Sequence, residues 1–100
     1  MHYCVAFIQL KPDTPRSVVD EFTAAFRELP NTVDGLCEIH VGPNIRARPG
    51  RPDYCLMYAF RDLAAFEEYM PHPEHMRLLD MVKPYFADVP EPEIAVLYEG

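Results

Sequence analysis

The segment His2 to Leu10 is apolar on both of its alternating sets, and this restricts what the chain can fold into more than any other feature. Tyr3, Val5 and Phe7 make one set; Cys4, Ala6, Ile8 and Leu10 make the other. Successive side chains of a strand point to opposite faces, so the segment predicts a strand covered on both sides. A helix can cover one of those faces. Something else must cover the second.

Helical periodicity follows directly. Lys11-Pro12-Asp13 is turn chemistry, and Thr14-Pro15 predicts a helix start with Thr14 as the capping hydroxyl and Pro15 at the first helical position. Val18, Val19, Phe22, Phe26 and Leu29 recur at spacings of three and four, an apolar stripe ending near Pro30. Leu36 to Val41 predicts a half-exposed strand, with Cys37, Ile39 and Val41 on one face and Glu38 and His40 on the other, closed by Gly42-Pro43. Asn44 to Asp53, rich in arginine, proline and glycine, predicts an exposed loop. Tyr54 to Phe60 is the third strand. Asp62 caps a short helix carrying Leu63, Phe66 and Met70, and the Pro71-His72-Pro73 step breaks it. A further helix restarts at Pro73 with the stripe His75, Leu78, Leu79, Val82, Tyr85 and Phe86, which Pro84 kinks or ends. Ile94 to Tyr98 is the closing strand.

The order β-α-β-β-α-β predicts an α+β, ferredoxin-like domain spanning residues 1–100: one antiparallel four-stranded sheet with its helices on a single face. The bare face of such a sheet is expected to meet a second copy, giving a homodimeric α/β barrel with two-fold contacts. Composition agrees. A chain of 100 residues builds a modest core, yet 49% of this one is hydrophobic, more than a solitary domain needs. Nine basic against sixteen acidic residues give a net charge of −7, which repels nucleic acid and anionic membrane surfaces. No stretch approaches the roughly 20 apolar residues of a spanning helix. Without a positively charged leader, and with three widely spaced cysteines (Cys4, Cys37 and Cys55) read as core thiols, the expectation is a soluble cytoplasmic protein.

Several residues go beyond fold class. His2 opening the first strand, Phe7, Leu10-Lys11, Val41-Gly42-Pro43-Asn44 and above all Tyr69-Met70-Pro71-His72-Pro73-Glu74-His75 resemble the stress-responsive dimeric α/β-barrel (Dabb) family across nearly the whole chain. The resemblance implies a homodimer of ferredoxin-like subunits whose activities are diverse and mostly need no cofactor. Characterised members include a plant polyketide cyclase performing an intramolecular aldol condensation and a fern hydroxynitrile lyase. In the cyclase pattern a histidine and a tyrosine carry the chemistry, and they fall on His75 and Tyr69 here. The histidine opening the first strand corresponds to His2; a further histidine of the cyclase's third strand has no counterpart within Tyr54 to Phe60.

The residues support the same chemistry independently. His75 heads an otherwise apolar stripe, so a polar ring is turned inward, and an imidazole titrates near neutral pH, which suits taking and returning a proton next to a carbonyl. Tyr69, just before the proline break, is placed to donate a hydrogen bond to an oxygen that becomes an enolate. His2 shares a strand face with the small side chains Cys4 and Ala6, which leaves room for a substrate; His72, Phe22, Phe26 and Leu78 complete the expected pocket. His72 and His75 are three residues apart, but Pro73 puts His72 at the cap rather than in the helix, and no metal is expected. The leading expectation is a cofactor-independent lyase or cyclase acting on a carbonyl-bearing small molecule, with His75 as base and Tyr69 as oxyanion donor. The alternatives are a non-catalytic dimeric binding or stress-associated protein, in which both residues only complete the core, and a cofactorless monooxygenase.

Overall fold

The computed structural model describes residues 1–100. Strands β1 (His2–Ile8), β2 (Leu36–Pro43), β3 (Tyr54–Phe60) and β4 (Glu93–Glu99) and helices α1 (Arg16–Arg27), α2 (Leu63–Tyr69) and α3 (Pro73–Val82) follow one another in the order β1-α1-β2-β3-α2-α3-β4. Short 3-10 turns, Leu29–Asn31 and Lys83–Tyr85, follow α1 and α3; both contain the proline that stops the regular helix. The sheet order is β2-β3-β1-β4 with all neighbours antiparallel, the ferredoxin-like arrangement predicted from the element order.

Register assigns the faces. Cys4 lies opposite Tyr58 and Leu97, Ala6 opposite Leu56 and Ala95, and Ile8 opposite Tyr54 and Glu93. These residues face the helices, where Val19, Phe22 and Phe26 of α1 and Leu78 and Val82 of α3 close the core. The buried Tyr54 hydroxyl pairs with Thr23, whose own hydroxyl also donates to the Val19 carbonyl, so this pair of core hydroxyls is satisfied. The opposite face carries Tyr3, Val5, Phe7, Met57, Ile94, Val96 and Tyr98, and no element of the chain covers it: Phe7, Met57, Ile94, Val96 and Tyr98 are all exposed. The two-sided cover predicted for β1 is therefore supplied on one side only within a single copy.

Three local expectations change. Thr14 does not cap α1; its hydroxyl turns back to the Lys11 carbonyl at 2.6 Å, and Pro15 takes the cap position with the helix starting at Arg16. Cys37 is exposed, because an irregularity in the β2–β3 pairing between Leu36 and Glu38 turns Leu36 inward in its place. Cys55 is only partly buried on the open sheet face, so Cys4 alone is a core thiol. The helix breaks fall where the prolines predicted, and Asp62 caps α2 by accepting the Ala65 N–H at 2.9 Å. No helix is long and apolar enough to cross a membrane.

Candidate functional site

The site is built where α2 gives way to α3. The last carbonyls of a helix have no partner within it, and prolines offer no N–H to take them up. At this junction His72 is the cap of α3 and its Nδ1 accepts the Glu74 N–H at 3.1 Å. The Met70 carbonyl is taken up by the imidazole of His75, whose Nδ1 lies 2.8 Å from that oxygen. A carbonyl only accepts, so in the neutral ring the proton sits on Nδ1 and the lone pair on Nε2, which no group of the chain engages.

Tyr69, on the last turn of α2, brings its ring against that of His75 with centroids 4.4 Å apart and planes inclined by 34°. The two predicted catalytic residues do meet, but through their ring faces. The Tyr69 hydroxyl reaches past the imidazole and donates to the hydroxyl of Tyr58 on β3, a long bond of 3.5 Å. Tyr69 is 2% exposed and Tyr58 7%, and both pack on Phe60. Burial is the main cause that raises both phenols, Tyr69 to about 12 and Tyr58 well above 10, with the Glu93 carboxylate adding to the rise in each. Both are proton donors throughout the neutral range.

A hollow of about 130 Å³ lies between this cluster and β1–β4; His75, Tyr69, Tyr58, Cys4, Ala6 and Glu93 are among its lining residues. A smaller void of about 20 Å³ adjoins His75, Tyr58 and Glu93 on the α1 side, with Phe26 in its wall. Since β4 is the edge strand and exposed along its whole length, the hollow is least covered on that side. No Lys or Arg lines either space. The largest depression of the surface, about 550 Å³, lies elsewhere, under the Asn44–Asp53 loop, where Arg48 and Arg51 are offset by Asp53 and Asp88.

Of the remaining predicted site residues, Cys4, Ala6 and Phe26 line these spaces. Phe22 and Leu78 are fully buried core and line neither. His72 spends a ring nitrogen on its cap, and His2, on the helix side of β1, lies outside both spaces with Nε2 3.6 Å from Glu99 and Nδ1 buried without a partner. No cluster of three or more His, Cys, Asp or Glu side chains is placed to hold a metal ion. Two contributors were missed. Tyr58 was legible in principle, because alternation along Tyr54–Phe60 sets it on the face of Leu56 and Phe60. Glu93 carried no local signal, and only the pairing of β4 with β1 brings it to the hollow.

The family model of the stress responsive A/B barrel domain matches residues 4–94. The chain belongs to this family. No curated protein matches it in sequence. Among solved structures, a dimeric protein of unknown function and ferredoxin-like fold from Bacteroides fragilis is 24% identical, with a TM-score of 0.80 over 99% of this chain and 95% of its own. A dimeric ferredoxin-like protein of unknown function from Thermobifida fusca is 21% identical, with a TM-score of 0.81 over 97% and 88%. The hydroxynitrile lyase of Passiflora edulis is 16% identical, with a TM-score of 0.79 over 97% and 90%. At such identities these likenesses speak to the A/B barrel fold.

Proposed function

We propose that this A/B barrel protein is a cofactor-independent acid–base enzyme acting on a carbonyl-bearing small molecule, by aldol-type cyclisation or carbon–carbon bond cleavage. His75 is the base, and the Tyr69 phenol stabilises the oxyanion through the Tyr58 hydroxyl to which it donates. The observation that carries the reading is the 2.8 Å contact between His75 Nδ1 and the Met70 carbonyl, which fixes the tautomer and leaves Nε2 free as a base beside an apolar hollow. Nε2 takes the proton from the carbon next to the carbonyl, and the electron pair left behind is delocalised onto the carbonyl oxygen as an enolate. The buried phenols stabilise that charge. The enolate carbon then attacks a second carbonyl, and His75 returns the proton to the new alkoxide. In the cleavage direction the same groups run the steps in reverse. The likeness in fold to the solved structure of a hydroxynitrile lyase supports the lyase reading.

The apolar open face supports a homodimer in which two sheets face each other, as the relatives from Bacteroides fragilis and Thermobifida fusca are described as dimeric. The net charge of −7 supports a protein that binds neither nucleic acid nor membranes, and the three free thiols support a cytoplasmic one.

Enolisation is testable without knowing the substrate. Exchange of the α-protons of small ketones in D₂O, followed by NMR, is expected to be catalysed by the wild type and slowed about 10²- to 10⁴-fold by His75→Ala. Undiminished exchange in that folded variant removes His75 as the base.

A further inference from the structure

We propose that Tyr58 is the residue that touches the ligand: its hydroxyl donates to the carbonyl oxygen of an uncharged molecule held in the hollow, and Tyr69 positions and polarises it from behind. This rests on the reading of the hollow as a carbonyl site and assigns the oxygen-binding contact within it. The argument begins with the direction of one bond. The geometry allows Tyr69 to donate to Tyr58, which spends the Tyr69 proton inside the protein. The proton of Tyr58 then has no acceptor in the chain, although the side chain is 7% exposed. A buried donor left unpaired is costly, and native interiors rarely tolerate one unless a ligand or water completes it.

Position agrees with the unspent proton. Tyr58 borders both the larger hollow and the small void, in each case together with His75 and Glu93, whereas Tyr69 borders only the larger. One face of the Tyr69 ring is taken up by the imidazole, so its hydroxyl acts through the partner it bonds. Two hydroxyls in series make the outer one a better donor, since each bond polarises the next. The wall also selects charge. Glu93 is the one carboxylate there and no cation offsets it, so a ligand bearing a carboxylate or phosphate meets repulsion and an uncharged ketone or aldehyde does not.

The probe is acetophenone labelled with ¹³C at the carbonyl, its stretch read by isotope-edited infrared difference spectroscopy. Bound to the wild type, the band is expected below its position in hexane, and benzoate, its anionic analogue, is expected to bind more weakly at low salt. Tyr58→Phe should lose the shift and bind about fivefold to tenfold more weakly. Tyr69→Phe should keep a shifted band of smaller displacement. Replacing Tyr58 by 3-fluorotyrosine, which adds only one fluorine and makes the phenol more acidic, should deepen the shift and serves should the phenylalanine variant fail to fold. The assignment is overturned by failure of acetophenone to bind the wild type, by an unshifted wild-type band, by a shift that survives at position 58 unchanged, or by its complete loss in Tyr69→Phe alone. Loss of catalysed exchange is not the readout, so a Tyr58-dependent shift stands even where His75→Ala removes the base assignment.

Discussion

At the scale of residues, the site is a set of polar groups placed by backbone requirements. His75 is oriented because the Met70 carbonyl finds no backbone donor, Pro73 having none and the Glu74 N–H going to His72, and Tyr69 is held because its ring fills the space between His75 and Phe60. The two phenols carry a pH consequence. Their folded-state values lie above the ordinary 10, so each prefers its proton in the native state. The contribution is complete below about 10, the unfolded value, and is lost as pH climbs through the folded one. The native fold is therefore expected to hold from neutral pH to about 10 and to weaken towards 12. Tyr58→Phe, with no proton to lose there, should flatten this limb; equal loss of melting temperature between about pH 8 and 11 in variant and wild type would show that the buried phenol is not responsible. That His75 and Tyr69 come together was legible from the stripe and the motif. The Tyr69 to Tyr58 bond was not, because the two hydroxyls belong to different elements and meet only after α2 packs on β3.

At the scale of elements, punctuation decides more than propensity. Pro71 and Pro73 divide one amphipathic stretch into α2 and α3, and the bend between them creates the orphan carbonyl that His75 serves. Gly35 does comparable work at the entrance to β2. Its φ of 82° lies in the left-handed region, and a Cβ built there would lie 2.5 Å from the Cβ of Ala65 on α2. The close approach lets the Gly35 carbonyl accept the Arg61 N–H at 2.8 Å, tying β2 to the start of α2. Gly35→Ala combines backbone strain with overpacking and is expected to cost about 2–4 kcal/mol. Urea unfolding measures it, and a change under about 0.5 kcal/mol, the usual range for a surface substitution, would mean that α2 shifts freely to make room. The boundaries of β3 and the Asp62 cap were readable from alternation and a single carboxylate. The misplaced Thr14 cap and the outward Cys37 were not, since a neighbouring carbonyl and a pairing irregularity overrode the local preference.

At the scale of the whole molecule, the two faces of one sheet have different fates. The helix side is closed by α1 and α3, while Val96, 54% exposed, sits amid Phe7, Met57, Ile94 and Tyr98 on the side that a second copy would bury. Val96→Glu would place a carboxylate in that contact, where desolvation costs several kcal/mol. We expect the variant to sediment as a folded monomer at concentrations where the wild type is a dimer; an unchanged dimer would mean that a different surface pairs. The sequence by itself determined the order of elements, their approximate ends, the face that each stripe presents and the pairing of His75 with Tyr69, because periodicity, caps and prolines act between residues that are neighbours along the chain. The tertiary structure alone decided that Glu93 and Tyr58 join them, that Phe22, Leu78 and His72 stay outside the hollow, and that Cys37 turns out. Those outcomes depend on strand register and helix docking between segments tens of residues apart, and no local pattern encodes such distances.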